Sequence, residues 1–484
     1  MTQIDFNDMQ GLVRFGHGRL VEAEFWLLKV ADRASARDWL ADVPVTSAAT
    51  LETPPATALQ IAFTAQGLRE FGVADAVVGQ FAQPFLAGMA GENSRSRRLG
   101  DTGNNDPEGW IWKETGTHLL LMLYAAADGL EGFKSSIADA RFHKAFETVR
   151  TLRTHPNKGV EPFGFADGIS EPKIDWQQTQ PPAKHGRETY SNLIAPGEII
   201  LGHRNEYNEI SPSPFVAMDG TAANPRRRDL GINGTYLVMR QLEQDVAGFW
   251  QYLDRASKGN PERREALGAK MVGRHRDGTP LIHERQDIPG GQAANNFTYD
   301  DDPNGVVCPL GAHIRRANPR TGDVPPGSNG IWRWLLSTLG FRRRPDKLPG
   351  RHDLVASTRF HRLVRRGRAY GAELSPQEAQ KGEPNDARGL FFICLCADIV
   401  RQFEFVQNAW MASGRFDGLT GEADPLVGNR APMSGVSTDG FIIQTATGIP
   451  ERHANLPTFV TVRGGGYFFM PGLNALHLIA TQAE

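Results

Sequence analysis

The chain of 484 residues is poor in cysteine, has no long apolar run and carries almost no net charge. Three cysteines, Cys308, Cys394 and Cys396, are too few for a disulfide framework. Cys394 and Cys396 stand two apart in FFICLC, so on a strand they share a face and read as small buried hydrophobes. No stretch approaches the roughly 18 consecutive apolar residues that suggest a membrane span. Lys and Arg total 53 against 55 Asp and Glu, a net charge of -2 that excludes recognition of nucleic acid through a general basic field. The opening residues, MTQIDFNDMQ, show neither the basic start nor the apolar core of a secretory signal, and no twin arginine; they predict a cytoplasmic protein. The thirteen histidines include no HExxH pair, which excludes a zinc hydrolase of that type. There is also no GxSxG elbow and no Walker-type phosphate loop. Gly464-Gly465-Gly466 precedes Tyr467-Phe468-Phe469 and reads as a turn entering a strand.

What is present is enough apolar material, 40% of residues, for a sizeable core, and a length that predicts two or three units. The strongest organisational signal is a duplication. Phe25–Val30 is strand-like and leads into a helical stretch bearing Trp39. After the break at 222–231, Tyr236–Met239 is strand-like and leads into a helical stretch bearing Trp250. A second pair repeats the scheme: His118–Leu123 precedes GLEGFKSSI, and Leu390–Leu395 precedes DIVRQFEFVQNAWM. This spacing predicts two α+β halves with antiparallel sheets, at residues 1–221 and 222–484, rather than one doubly wound sheet. Four aperiodic stretches, 177–190, 283–305, 321–330 and 331–350, read as long excursions.

Two segments carry potential chemistry. Glu161-Pro162-Phe163-Gly164-Phe165-Ala166-Asp167-Gly168-Ile169-Ser170-Glu171-Pro172 places a carboxylate between two glycines, which permit backbone shapes that other residues resist. Read alone, it is either an Asp-Gly turn or a loop presenting Asp167. Cys308-Pro309-Leu310-Gly311-Ala312-His313-Ile314-Arg315-Arg316 sets a histidine among small and apolar neighbours with cations following. That pattern suits a core histidine or a metal ligand.

Together these segments resemble the dye-decolorizing (DyP-type) peroxidases. Gly164–Gly168 is similar to the family's GxxDG signature, and AHIRRANPR is similar to the stretch bearing its haem-ligating histidine, here His313. His361-Arg362-Leu363-Val364-Arg365-Arg366-Gly367 resembles the segment of its distal arginine, here Arg365. Gly389-Leu390-Phe391-Phe392 resembles the strand that roofs the haem, GGGYFFMPGLNAL the C-terminal end, and QGLVRFGHG the opening. The likeness spans nearly the whole chain.

The resemblance implies two ferredoxin-like halves, of the dimeric α+β barrel-like superfamily, with haem b held mainly in the second. It implies a haem peroxidase using hydrogen peroxide and phenolic, dye-like or other reducing small molecules, with no nucleic-acid or membrane partner. The 321–350 excursion and the opening residues place the chain with the longer, elaborated, cytoplasmic bacterial-type members. His313 is then the axial iron ligand, Asp167 the distal acid/base and Arg365 the charge stabiliser that also contacts the cofactor. Leu390 and Phe392 narrow the distal side. The carboxylate behind His313 is expected at Asp424, with Glu404 as the second candidate, and a surface role is the alternative for either. Arg366 is a candidate propionate contact or a surface arginine. Trp332, Trp334, Tyr370 and Trp410 are candidate electron relays or ordinary packing. A different haem oxidoreductase activity on this scaffold, or a haem carrier, needs His313 but not the Asp167 and Arg365 pair.

Overall fold

The computed structural model describes residues 4–156, 158–179, 192–221, 224–282, 295–321, 357–382, 386–432 and 435–481. The excursion at 331–350 lies outside them, as do most of 177–190, the first part of 283–305 and nearly all of 321–330.

The first half builds four strands: β1 (Glu22–Val30), β2 (Thr57–Phe63), β3 (Leu119–Ala125) and β4 (Phe146–Arg153). The second repeats them as β5 (Thr235–Gln244), β6 (Val364–Arg365), β7 (Gly389–Cys396) and β8 (Val460–Met470). In both halves the first strand lies between the third and the fourth, and the second lies outside the third. All pairings within each half are antiparallel. A helix follows the first strand of each half, α1 (Arg33–Asp42) carrying Trp39 and α2 (Val246–Ala256) carrying Trp250. Each is capped by an aspartate two residues beyond its strand or directly after it: Asp32 accepts from the Ser35 amide and Asp245 from the Gly248 amide, both at 2.8 Å. Such caps contribute about 1 kcal/mol each. Helices also follow the third strands, at Leu130–Ile137 and, in π-helical form, at Val400–Glu404 and Val406–Ala412. The duplicated strand–helix spacing in the sequence is thus the repeat of one antiparallel α+β unit.

The halves share one sheet, because β8 pairs with β2 through Phe469 and Phe63. Both faces of that sheet are covered, which is why β1 and β3 read as near-continuous apolar runs. Trp26, Leu28, Leu121 and Phe469 pack on one face; Phe25, Leu27, Leu120 and Phe468 pack on the other. Cys394 and Cys396 share the first face, while Ile393 and Leu395 take the second. Burying a side chain of this size contributes about 1.5–3 kcal/mol.

The glycine run is a correction. Residues 464–466 lie inside β8 and form no turn. Large side chains cross the strand there. A Cβ on Gly464 would stand 2.4 Å from Trp112 Nε1, and one on Gly466 would stand 2.7 Å from Glu114 Oε2. The glycines admit close packing across an extended strand.

Candidate active site

One cavity is lined by Asp167 from the first half and by His313, Arg365, Leu390 and Phe392 from the second. These five residues come from one loop, one short helix and two strands.

His313 opens the short helix α4 (the chain elements between α2 and it being α3, Pro261–Val272), which spans His313–Ala317. Arg315 and Arg316, which follow it, are both buried, as arginines seldom are. Arg315 donates to the carbonyls of Cys308 (2.8 Å) and Asp302 (3.0 Å) and pairs with the Asp302 carboxylate. Arg316 donates to the carbonyls of Trp410 and Glu422, each at 2.7 Å. The two guanidiniums therefore staple the histidine's helix to the segments on either side.

His313 Nδ1 lies 3.0 Å from Asp424 Oδ2. Asp424 is fully buried, and its other oxygen accepts the amides of Leu426 and Val427, both at 2.9 Å. Burial pushes the Asp424 carboxyl up, but His313 and these amides reverse the shift and hold it below its ordinary value. Burial correspondingly pulls the imidazole down, and the charge and hydrogen bond of Asp424 turn the net shift upward. The expected carboxylate partner is thus in hydrogen-bond contact with His313. Glu404 is not: it pairs with Arg95 and Arg98 and accepts the Tyr467 hydroxyl at 3.0 Å. The buried Arg95 cation captures it.

Asp167 sits between Gly164 and Gly168, whose φ angles of 95° and 77° lie in the left-handed region. Its Oδ1 is 3.4 Å from Arg365 Nη1. Arg365, on β6, is fixed by a residue whose importance the sequence did not flag. Glu171 accepts the Arg365 amide at 2.8 Å and pairs with its Nε at 3.1 Å. The available signal was position alone: Glu171 follows Asp167 by four residues within the same glycine-punctuated segment. Leu390 and Phe392 occupy alternate positions on β7 and are only partly buried, whereas Phe391 and Ile393 point into the core. The pleat therefore delivers both to the cavity.

Arg366 is not a free surface arginine: it donates to the carbonyls of Leu12 (2.7 Å) and Val13 (2.9 Å) and lines the cavity adjoining this one. Tyr370 and Trp410 are buried, Tyr370 against Phe391 and Trp410 against His361 and Phe405. Trp332 and Trp334 lie outside the described residues.

The donor set fits a haem. Apolar side chains such as Leu242, Val272, Leu426 and Val460 supply walls for a flat macrocycle, and Arg274, Arg320 and Arg362 bring cations to the same cavity. Burial, and then the neighbouring Arg320, push the Arg274 guanidinium down to about 10. Cations beside an apolar cavity suit the two propionates of a haem, and an imidazole backed by a buried carboxylate is the usual arrangement of a strongly donating iron ligand.

A duplicated antiparallel α+β sheet with such a pocket defines a haem peroxidase. No profile of a known protein family matches the chain. It is 27% identical over 507 residues to the dye-decolorizing peroxidase msp1 of Mycetinis scorodonius, covering 98% of this chain and 88% of that one. It is 28% identical over 427 residues to the multifunctional dye peroxidase DyP2 of an Amycolatopsis species, covering 84% and 80%. Among solved structures it superposes on a dye-decolorizing peroxidase in complex with cyanide with a TM-score of 0.74, at 25% identity over 99% of this chain and all of that one. A complex of a dye-decolorizing peroxidase with 2,6-dimethoxyphenol gives 0.73 at the same identity and coverage. Over nearly its whole length the chain is thus similar to dye-decolorizing peroxidases.

Proposed function

We propose that the peroxide-cleaving machinery of this haem peroxidase is His313 as the residue that would hold the haem iron, Asp424 behind it, Asp167 as proton carrier and Arg365 as charge stabiliser. One observation carries this reading: a single cavity holds both the carboxylate-backed imidazole and the Asp167–Arg365 pair. Bound haem b supplies the iron that receives the peroxide and the oxidising equivalents later drawn from donors one electron at a time. Asp424 occupies Nδ1 of His313 and fixes the tautomer, so Nε2 is the nitrogen that would hold the iron. Asp167 would take a proton from one oxygen of hydrogen peroxide and return it to the other, which would leave as water. Arg365 stays protonated and stabilises the negative charge that grows on the departing oxygen. Leu390 and Phe392 keep the space above this pair narrow and apolar, which favours hydrogen peroxide over bulkier molecules.

The donors are phenolic or dye-like, a reading supported by the names of the relatives and by the dimethoxyphenol bound to one of the structural neighbours. Alignment across about 500 positions with long fungal relatives supports a place among the longer, elaborated members. A haem carrier requires neither Asp167 nor Arg365, and the ion pair they form in the cavity favours the peroxidase.

The test is the absorption spectrum of the haem-loaded protein mixed with one equivalent of hydrogen peroxide. Asp167→Asn and Arg365→Leu should each slow the spectral change by about 10²–10⁴-fold with haem content unchanged. His313→Ala should lose the haem. Wild-type rates in both distal variants would refute the assignment.

A further inference from the structure

We propose that Glu161 is a positioning residue, its carboxylate holding the loop that presents Asp167 to the cavity. The inference rests on the reading of Asp167 as proton carrier. Glu161 stands six residues before Asp167, and its two oxygens gather three donors. Oε1 accepts the Phe165 amide at 3.0 Å. Oε2 accepts the Phe163 amide at 3.0 Å and Gln244 Nε2 at 2.9 Å. The main chain closes around the same point: the Glu161 amide donates to the Phe165 carbonyl, the Gly164 amide to the Glu161 carbonyl and the Asp167 amide to the Gly159 carbonyl. The carboxylate is thus the hub of a turn whose far end is Asp167.

Two further contacts tie this turn to the rest of the protein. Gln244 ends β5, so its bond to Glu161 anchors the loop to the sheet of the second half. The Trp250 indole on α2 donates to the Phe163 carbonyl at 3.1 Å, while Phe163 packs on Phe249. Apolar packing therefore holds the turn's body, while the Glu161 carboxylate gathers the amides of Phe163 and Phe165.

The arrangement is costly in a way that ordinary loop capping is not. Burial pushes the Glu161 carboxyl up to about 7, against the pull of the three donors, and Asp167 adds to the rise. A solvent-exposed cap would avoid that cost. Glu161 also lines both the haem cavity and the adjoining outer cavity, and Asp167, Arg365 and Leu390 line both as well. The carboxylate consequently sits in the wall through which the Asp167 loop faces its reactants. A glutamine there has one acceptor oxygen for two amides on separate sides, and its amino group meets an amide hydrogen.

The test compares Glu161→Gln with wild type and with Asp167→Asn by two measurements. The first is amide hydrogen exchange over residues 163–165 in the haem-free protein. The second is cyanide binding to the haem-loaded protein, followed at the Soret band, because hydrogen cyanide binds as the anion and must give its proton to the distal carboxylate. E161Q should exchange at least about tenfold faster and bind cyanide about tenfold more slowly, with unchanged haem content. Wild-type values for both in E161Q, alongside slow cyanide binding in D167N, overturn the inference. Wild-type cyanide binding in D167N instead refutes the role of Asp167, and the exchange measurement still reports on the loop independently. Gln244→Leu removes the donor from outside the loop and carries the same test where E161Q does not accumulate: both readouts should move in the same direction, and wild-type values for both overturn the inference.

Discussion

His313 and Asp424 form a pair in which the carboxylate is fixed before it fixes the imidazole. Oδ1 of Asp424 is committed to the amides of Leu426 and Val427, which leaves Oδ2 for His313 Nδ1. An asparagine at 424 must place its carbonyl oxygen where the two amides donate, turning its amino group toward His313. Nδ1 then has to accept, and the ring proton moves to Nε2, the nitrogen needed for iron. Asp424→Asn is expected to weaken haem binding by roughly 10–100-fold, as measured by titrating the haem-free protein with hemin. Unchanged affinity would show that the ring tautomer is not set by Asp424.

Arg365 depends on Glu171 in a comparable way. Glu171 holds both its main-chain amide and its guanidinium Nε, so Asp167 receives only the remaining end of the fork. Glu171→Gln should leave haem affinity unchanged and slow the peroxide reaction by about tenfold, since displacements of about 1 Å are costly at a reacting centre. Stopped-flow mixing with peroxide checks it. A rate equal to wild type would mean that β6 alone places the arginine.

Much of this arrangement was legible because it depends on patterns that survive in one dimension. Strand pairs at matching spacings revealed the duplicated unit, and apolar runs marked strands covered on both faces. Asp167, His313 and Arg365 were legible through local motifs, and Asp424 through the need for a carboxylate behind a ligating histidine. Glu171 and Glu161 were not, since their roles arise from which amides and cations the fold brings to them. Arg366 and Glu404 failed for the same reason: a carbonyl pair near the N-terminus captured one, and Arg95 captured the other. Gly464–Gly466 misled because glycine signals a turn by its backbone freedom, whereas here its lack of a side chain is what matters.

That difference is measurable. A methyl group on Gly464 collides with the Trp112 indole, whose Nε1 is held by Gln241 at 2.8 Å and cannot swing away without losing that bond. Gly464→Ala is expected to destabilise the protein by about 1–3 kcal/mol, the usual cost of overpacking. Denaturant unfolding measures it, and an unchanged midpoint with unchanged slope would indicate that Trp112 repacks freely. A glycine serving only a turn would show no dependence on the tryptophan, so Trp112→Phe should relieve part of the loss.

Glu114 makes a prediction about pH. It is buried beneath β8 beside Gly466, and burial pushes its carboxyl from the ordinary 4.5 up to about 7, against the pull of amides such as that of Ala90. The folded protein therefore binds this proton more tightly than the unfolded chain does. The associated stability is complete below about pH 4.5 and is lost as pH rises through about 7. The full loss is on the order of 3 kcal/mol. Glu114→Gln removes this group's contribution while keeping an oxygen for the Ala90 amide. Asp101, Glu161, Glu198 and Glu422 are also pushed up by burial and add falling slopes common to both proteins, so the difference between the two isolates Glu114. Thermal unfolding of the haem-free proteins at pH 5 and pH 8 should show a smaller drop for E114Q than for wild type. Equal drops would mean that Glu114 keeps an ordinary carboxyl despite its burial.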